Sequence, residues 1–328
     1  MNIEVIDLDD ALTRSGSRGA EVAVQIREAA ISSGFFYVRN HGVNSKLIGR
    51  QFELARKMLE DVPLDTRKQL DMHHSPKMCG YEMVGAQTLD VAARPDIKES
   101  FYCGMGYPDS HPYAQAGYPY YGGNQWPDEV PEASALSEEY IQALLALSQR
   151  LMQLLALSLG VSEDYFDATT VSPMVILRMV RYPPHPTDAD EQTFGAGAHT
   201  DWGALTILAQ DMHGGLEVCM PDGKWVEATP IDGCFVVNLG DLMARWTNGI
   251  YHSNPHRVRN RYSNGLPRYS IPFFYIPDYM ARIEAIPGTV MPGEKPRFTS
   301  CTAGEHLEEM YRRTYDLSPA ISRKATAI

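Results

Sequence analysis

The chain has 328 residues, of which 44% are hydrophobic and 21% are charged, and its formal net charge at pH 7 is −12. This composition is too apolar for a disordered chain and too polar for an integral membrane protein. The negative charge argues against nucleic acids and anionic membranes as partners, because phosphate binding needs clustered Lys and Arg side chains. A small anionic ligand held by one buried arginine is compatible with it.

The cysteines and the N-terminus bear on the compartment. Five cysteines are scattered along the chain without any CxxC spacing, so they predict reduced thiols, neither a disulfide framework nor a zinc site. The first ten residues, MNIEVIDLDD, lack the basic and apolar regions of a secretory signal. We therefore expect a cytoplasmic protein.

The first half of the chain predicts helices. Apolar residues recur at helical spacing in 22–29 and 48–59, and the short apolar run 35–38 lies between them. Residues 134–159 form the longest helical pattern, with Gly160 placed as a C-terminal stop. Charged and amide side chains interrupt this segment, which favours a helix that backs the core over a membrane span.

The second half predicts short strands separated by turns. Many short strands at roughly ten-residue spacing are typical of a sandwich or jelly roll. Little helix is expected after them until 303–314, and Pro221–Lys224 is expected to form a tight hairpin turn. The fold class is therefore α+β: a distorted jelly-roll (double-stranded β-helix) core with a helical N-terminal region and a long backing helix. The predicted strands are 174–182, 204–210, 215–220, 225–229, 234–240 and 268–276.

A histidine and an aspartate stand two positions apart in the stretch GAHTDWGALT. If His199 and Asp201 lie on one strand, they share a face about 6–7 Å apart, a spacing that suits two ligands of one metal ion. Alone, such a pair is more often a surface or hydrogen-bonded core feature. His256, which follows turn residues and begins a strand-like run, is the preferred third ligand, and His252 is its competitor. Two histidines and one carboxylate leave three positions open on an octahedral metal, as in non-haem Fe(II) oxygenases, whereas a closed zinc site needs a fourth protein ligand.

Arg268 and Ser270 form a second polar pair inside an otherwise apolar run. Their spacing places them on one face of a strand, where a buried arginine is costly unless it meets an anion. A guanidinium fork beside a hydroxyl suits a carboxylate. The alternative is an internal salt bridge to one of the 41 acidic residues.

Together, HTD (199–201), NGIYHSNPHRV (248–258) and RYS (268–270) closely resemble the motifs of iron- and 2-oxoglutarate-dependent dioxygenases of the isopenicillin N synthase-like group. The resemblance covers nearly the whole chain. GFFYVRNHGV (34–43) is similar to the N-terminal module of that group, and TAGEHLEEMYRRTY (302–315) resembles the C-terminal helix of its bacterial members.

The resemblance implies roles for particular residues. It implies that His199, Asp201 and His256 ligate Fe(II), and that no separate catalytic residue is needed beyond this metal site. Arg268 and Ser270 are implied to hold the distal carboxylate of 2-oxoglutarate.

The strand 174–182 carries two further candidates. Tyr182 matches a family tyrosine that often adds a hydrogen bond to the co-substrate, although Val180 stands where many plant members have Asn. Arg178, four residues before Tyr182, is a candidate contact for the substrate. The segments expected to line the substrate pocket are 76–104 and the tail after 276.

The implied activity is oxidation, by default hydroxylation, of a small molecule by Fe(II), 2-oxoglutarate and O2, with release of succinate and CO2. The expected organisation is one structural unit, with an N-terminal module at 1–115 and a core at 116–328 whose dioxygenase domain spans about 172–280. Three alternatives stay open. They are a 2-oxoglutarate-independent oxidase or cyclase of the isopenicillin N synthase type, a non-catalytic jelly roll that binds a small acid, and a zinc hydrolase using the same three ligands.

Overall fold

The computed structural model describes residues 3–9, 17–75, 77–90, 92–184, 190, 192–259 and 265–314, with only the backbone at 17 and 18. Its helices in chain order are α1 (Ser17–Ser32), α2 (Ser45–Arg56), α3 (Leu64–Gln69), α4 (Pro112–Gln115), α5 (Ala133–Ser158), α6 (Asp241–Trp246) and α7 (Ala303–Thr314). Its strands are β1 (Glu4–Asp7), β2 (Phe35–Arg39), β3 (Gly80–Glu82), β4 (Glu99–Gly104), β5 (Met174–Tyr182), β6 (Ala196–His199), β7 (Leu205–Gln210), β8 (Leu216–Cys219), β9 (Trp225–Glu227), β10 (Phe235–Leu239), β11 (His256–Val258), β12 (Arg268–Ile276), β13 (Arg282–Ile283) and β14 (Cys301–Thr302).

Two β-sheets form the framework. The larger has eight strands in the order β1-β2-β10-β7-β12-β5-β4-β3, and the smaller has four in the order β6-β11-β8-β9. The pairings are antiparallel except for β1 with β2. One apolar cluster contains Val180 and Tyr182 of the large sheet together with Leu216 and Val218 of the small one, so the two sheets pack face to face. The predicted jelly-roll fold is confirmed.

The N-terminal segment shares the large sheet with the core. Strand β2 pairs with β10, and β4 pairs with β5, so strands from the first 115 residues flank the central strands on both sides. These hydrogen bonds tie the two predicted segments into one sheet. The exact boundary between them stays a prediction.

The long helix α5 backs the large sheet, as predicted. It is long and apolar enough to cross a membrane by length and composition, but residues such as Leu144, Leu151 and Leu154 are buried in the core of this fold. Gly160 follows its C-cap with φ of 74°, a left-handed conformation that glycine adopts without a Cβ penalty. The predicted stop residue is therefore where the helix ends.

The paired central strands β5 and β12 match the sequence prediction residue for residue. Strands β5 and β12 span 174–182 and 268–276, and their register sets Arg268 opposite Tyr182 and Ser270 opposite Val180. Because side chains alternate along a strand, these four residues share the face that looks toward the small sheet. Helix α6, at Asp241–Trp246, was not predicted, since a six-residue helix carries too few residues for a periodic pattern.

Candidate active site

His199, Asp201 and His256 lie together at one end of the small sheet. One ligand atom from each lies within 4.8 Å of the other two. Strand β6 ends at His199 and β11 begins at His256, and these two residues are paired across the strands, with ring centroids 4.3 Å apart. Sheet pairing thus brings together ligands that are 57 positions apart in the sequence.

The expectation that His199 and Asp201 share a strand face is wrong, because the strand ends at His199 and Asp201 lies beyond it. Hydrogen bonds hold the carboxylate instead. Its Oδ2 accepts from Thr206 Oγ1 at 2.6 Å and from Asn238 Nδ2 at 2.7 Å. Its Oδ1 lies 3.7 Å from His256 Nε2 and 4.0 Å from His199 Nε2. Two donors on the large sheet therefore engage Oδ2, and Oδ1 faces the two imidazoles.

Backbone carbonyls orient both imidazole rings. His199 Nδ1 lies 2.8 Å from the carbonyl oxygen of Gly197, and His256 Nδ1 lies 3.3 Å from that of Asn254. A ring whose Nδ1–H donates to a carbonyl presents the lone pair of Nε2, which is the arrangement usual for histidine ligands of metals. Both Nε2 atoms therefore face the Asp201 carboxylate ready to bind a cation.

The electrostatics of His199 and Asp201 favour the protonation states that a metal requires. Burial and the neighbouring His256 lower the pKa of His199. Burial alone would raise the pKa of Asp201, but His256, His199 and the two donated hydrogen bonds lower it. At neutral pH, His199 is therefore a neutral imidazole and Asp201 is a carboxylate. Among the described residues no fourth His, Cys, Asp or Glu joins this group, so the donor set fits an open iron face and not a closed zinc site.

His252, the competing candidate, is not part of the group. Its backbone N–H donates to the carbonyl of Ala30, and its own carbonyl packs against Gly34. A Cβ at Gly34, whose φ is +69°, would lie 2.1 Å from that oxygen, so the loop bearing His252 is seated on β2 and its flanking turn. This seating positions the chain that leads to His256.

Arg268 lies in an inner cavity between the sheets. It is 1% exposed; its Nε donates to the carbonyl of Gly214 at 2.6 Å, and its Nη2 donates to Gln210 Oε1 at 3.2 Å. Nη1 has no hydrogen-bond partner, and no carboxylate of the described residues pairs with the guanidinium. The alternative of an internal salt bridge is therefore not realised among the described residues. A buried guanidinium in this state fits an anionic ligand.

The inner cavity, of about 560 Å³, joins this arginine to the metal triad. Ser270 and Tyr182 line it, and the Tyr182 ring lies 4.8 Å from the Arg268 guanidinium carbon. Val180 contributes an apolar wall where an amide would stand in many plant members. All six residues predicted for iron and co-substrate thus border one space.

Arg178 borders both this inner cavity and an outer one of about 570 Å³. Its Nη2 pairs with Glu82 at 2.6 Å, its Nε donates to Ser100 Oγ at 2.9 Å, and its guanidinium carbon lies 4.6 Å from the centre of the Tyr102 ring. No sequence motif pointed to Glu82. Because this partner is 96 residues away in the chain and in another strand, no local pattern reveals it.

Aliphatic and aromatic side chains form most of the rest of the outer cavity. His199 and Asp201 also border it, so the metal site lies between the two cavities. Trp202 lines this cavity and meets Tyr311 of α7 edge to face at 4.9 Å. Both segments expected to line the substrate pocket contribute to it. The lining residues are Gln87, Leu89, Tyr102, Ile176, Arg178, Trp202, Gly203, Phe274, Ile276, Leu307 and Tyr311, with the triad segment 199–201.

A buried ion pair, which no sequence motif indicated, lies beside the triad. The Lys98 ammonium contacts the Asp96 carboxylate, and both side chains are almost fully buried. Asp96 Oδ1 also accepts a hydrogen bond from the backbone N–H of Gly197 at 2.9 Å, two residues before His199. Lys98 lies one residue before β4, two positions before Ser100 and four before Tyr102. Because side chains alternate along a strand, this spacing could have indicated a lysine that faces inward.

Comparison with known proteins places this site in a family. Residues 172–277 match the 2OG-Fe(II) oxygenase superfamily, and residues 3–129 match the family described as non-haem dioxygenase in morphine synthesis N-terminal. The chain is 35% identical to the 2-oxoglutarate-Fe(II) type oxidoreductase hxnY of Emericella nidulans, over 98% of this chain and 92% of the relative. The chain belongs to the 2OG-Fe(II) oxygenase superfamily.

Other members of the superfamily give a consistent result. The chain is 33% identical to the rice homoarginine-6-hydroxylase 2-ODD-233, over 88% of this chain and 87% of the relative. The structure superposes on that of a full-length Neurospora crassa protein in complex with alpha-KG and thymine with a TM-score of 0.84 and 29% identity, covering 95% of this chain and 96% of that one. These relatives are fungal and plant proteins, so they do not support the narrower expectation of a bacterial member.

Membership confirms the predicted reaction class and cofactors. The protein is an Fe(II)- and 2-oxoglutarate-dependent dioxygenase with a His-Asp-His iron-binding triad. The geometry of the triad and the orphaned donor of Arg268 fit the iron and the dianionic co-substrate, respectively.

Proposed function

We propose that this enzyme hydroxylates a C–H bond of a small, uncharged ring compound that binds in the outer cavity. The observation that carries the proposal is a contrast between two buried arginines. Arg178 is neutralised by Glu82 at 2.6 Å, whereas no carboxylate of the described residues meets Arg268. An anion is therefore needed at Arg268 and is not needed at Arg178.

The co-substrate arrangement follows from the same contrast. The distal carboxylate of 2-oxoglutarate binds Arg268 and Ser270, with Tyr182 beside it, in the inner cavity. When bound, the iron and 2-oxoglutarate supply an oxidative decarboxylation with O2 that yields succinate and CO2 and oxidises the substrate. The triad would hold the metal, and the apolar wall at Val180 would keep water from the co-substrate.

The substrate binds on the other side of His199 and Asp201. Tyr102, Trp202 and Tyr311 offer ring faces and edges to a planar molecule. The thymine bound in the Neurospora crassa structure supports a small planar ring as the occupant. A net-neutral wall disfavours a substrate carboxylate, because a new anion beside the Arg178–Glu82 pair repels the buried Glu82.

A matched panel of ring compounds tests the substrate class. Thymine, benzamide, 5-carboxyuracil and benzoate are each incubated with the Fe(II)-loaded enzyme, and stimulated succinate formation and a product heavier by one oxygen atom are measured. We expect stimulation by the uncharged compounds only. Stimulation by the carboxylates but not by their uncharged counterparts overturns the proposal.

Glu82→Gln is the matched control for this panel. The amide keeps the shape of the side chain and leaves Arg178 without its counter-charge. In this variant, the carboxylated compounds should therefore stimulate succinate formation more than they do in the wild type. An unchanged preference means that the Arg178–Glu82 pair does not set the substrate charge.

Anaerobic titration tests the co-substrate site. The Fe(II)-loaded protein should develop the weak visible charge-transfer band of a chelated keto acid on addition of 2-oxoglutarate. Arg268→Ala should retain iron and raise the 2-oxoglutarate concentration required by about ten-fold or more, since a charge-assisted pair is lost. Unchanged co-substrate use in this variant contradicts the assignment.

The same proposal makes small molecules the partners of the enzyme, to the exclusion of nucleic acids, and places the enzyme in the cytoplasm. The net charge of −12 and the scattered cysteines support it. Cell fractionation with an antibody against the protein tests the location. The proposal that this enzyme is a bacterial member of the family rests on the resemblance of residues 302–315 to the C-terminal helix of such members. Residue 315 lies outside the described residues.

A further inference from the structure

We propose that Lys98 is the second cationic contact for 2-oxoglutarate and binds the carboxylate at its keto-acid end, opposite the end held by Arg268. This inference rests on the co-substrate arrangement proposed above. It assigns a binding role to a residue that no motif of the sequence identifies.

The position of Lys98 ties it to the inner cavity. Lys98 lines the space that contains the metal triad, Arg268 and Ser270, and it does not line the outer cavity. Arg178, by contrast, lines both. The Lys98 ammonium therefore serves the occupant of the inner cavity and not the substrate.

The hydrogen-bonding capacity of Lys98 exceeds what the protein uses. An ammonium has three N–H donors, and Asp96 is the one partner that the structure gives it among the described residues. The side chain is only 3% exposed, so water at the surface cannot satisfy the others. Donors left over on a buried cation beside a cavity fit an anionic ligand in that cavity.

The charge state of the lysine agrees with this role. Burial lowers the pKa of Lys98 to about 8, and the neighbouring Asp96 opposes that decrease. Asp96 and Glu82 thus compensate the burial of the ammonium incompletely, and Arg178 adds to the decrease. A carboxylate from the co-substrate completes the compensation.

The fold places Lys98 at the metal end of the co-substrate. Asp96 holds Lys98 on one side and the N–H of Gly197 on the other, so the ammonium is fixed to the strand that ends in His199. The keto-acid end of 2-oxoglutarate is the end that binds the metal, and Arg268 on β12 takes the other end. Besides Arg178, which Glu82 neutralises, the cavity presents two cations, Lys98 and Arg268, one for each end of a dianion.

Two ligands and two variants test the proposal. Pyruvate has the keto-acid end of 2-oxoglutarate and lacks the distal carboxylate. Binding of each ligand to the Fe(II)-loaded protein is measured anaerobically by calorimetry and by the visible charge-transfer band. Lys98→Met should weaken the binding of both ligands by about ten-fold, whereas Arg268→Met should weaken only 2-oxoglutarate.

Because removing Lys98 leaves Asp96 buried without its partner, two further variants keep the test decisive. Asp96→Asn with Lys98→Met removes both charges and retains an oxygen for the Gly197 N–H, and it should reproduce the weakened binding. Asp96→Asn alone keeps Lys98 but removes its counter-charge, which lowers the pKa of the lysine further; measured at pH 6, where protonation is favoured, it should bind both ligands more tightly than the double variant.

The outcomes separate the two proposals. Pyruvate affinity unchanged in Lys98→Met, with 2-oxoglutarate still dependent on Arg268, overturns the role of Lys98 alone. Equal losses in Asp96→Asn and Lys98→Met, accompanied by loss of iron, also overturn it, because the ion pair then only anchors β6. Failure of the wild type to bind 2-oxoglutarate overturns both this inference and the proposed function.

Discussion

Asn238 donates a 2.7 Å hydrogen bond from Nδ2 to Oδ2 of Asp201, and this contact ties the segment that follows β6 to the large sheet at the metal site. Asn238 lies in β10 of the large sheet, and its register partner in β7, Thr206, donates to the same oxygen at 2.6 Å. Two donors on neighbouring strands therefore lock one carboxylate oxygen and leave the other for the iron. Such outer partners of a ligand orient it and tune its affinity for the metal.

Asn238→Ala is expected to weaken iron binding by about 10- to 100-fold, because the Asp201 carboxylate loses a donor that fixes its orientation. The measurement is anaerobic titration of the apo-protein with Fe(II), followed by a competing chelator. Thermal unfolding of the apo-variant serves as the control for folding. Wild-type affinity in a folded variant would show that Thr206 suffices to orient the carboxylate.

His256→Gln should abolish stoichiometric iron binding, whereas His252→Gln should retain it. His256 contributes Nε2 to the triad, but His252 contacts its surroundings through backbone atoms that the substitution leaves in place. Bound iron is measured after anaerobic gel filtration, with Asp201→Ala as a further metal-free reference. Equal iron content in the two histidine variants contradicts the assignment of the third ligand.

Tyr311→Ala should raise the apparent KM for the substrate by about ten-fold and leave 2-oxoglutarate binding unchanged. The ring of Tyr311 closes the outer cavity against Trp202, and it does not line the inner cavity. Tyr311→Phe keeps the ring and should behave like the wild type in the coupled assay. A parallel loss of 2-oxoglutarate affinity in Tyr311→Ala would mean that α7 supports the whole site and not the substrate pocket alone.

The metal-free protein should lose stability as the pH falls below about 6.5, the ordinary pKa of histidine, and His306 should account for part of the loss. Burial, together with Arg245 and Arg313, lowers the pKa of His306 to about 4. The unfolded chain therefore binds a proton in a pH range where the folded chain does not. Each such histidine lowers the free energy of unfolding by about 1.4 kcal/mol per pH unit below its unfolded pKa and above its folded one.

Urea unfolding of the apo-protein at pH 7, 6 and 5 measures this dependence. The slope of stability against pH should be shallower in His306→Gln than in the wild type, while the remaining slope includes His199, whose pKa is lowered in the same direction. Parallel slopes for the two proteins would show that His306 is protonated in the folded state, where Asp241 Oδ2 lies 3.8 Å away.

Local patterns predicted the elements that carry the site. The apolar runs at 174–182 and 268–276 gave the bounds of β5 and β12, because the length and the alternation of a strand depend on consecutive residues. The same alternation predicted that Arg268 and Ser270 share a face. Helix α5 was equally predictable, since its 26 residues show a clear helical pattern and Gly160 marks its end.

By itself, then, the sequence determined the fold class, the His199–Asp201 pair and the arginine that needs an anion, because each depends on residue type and short spacing. The family motif added His256, which sheet pairing brings to the pair across 57 positions. Tertiary structure alone decided which charges are compensated. Glu82 neutralises Arg178 across 96 positions, and Asn238 holds Asp201 across 37. These distances along the chain are bridged by sheet register, which no local periodicity encodes. The division between an arginine that needs an anion and one that does not, and so the kind of molecule that each cavity accepts, belongs to the folded protein.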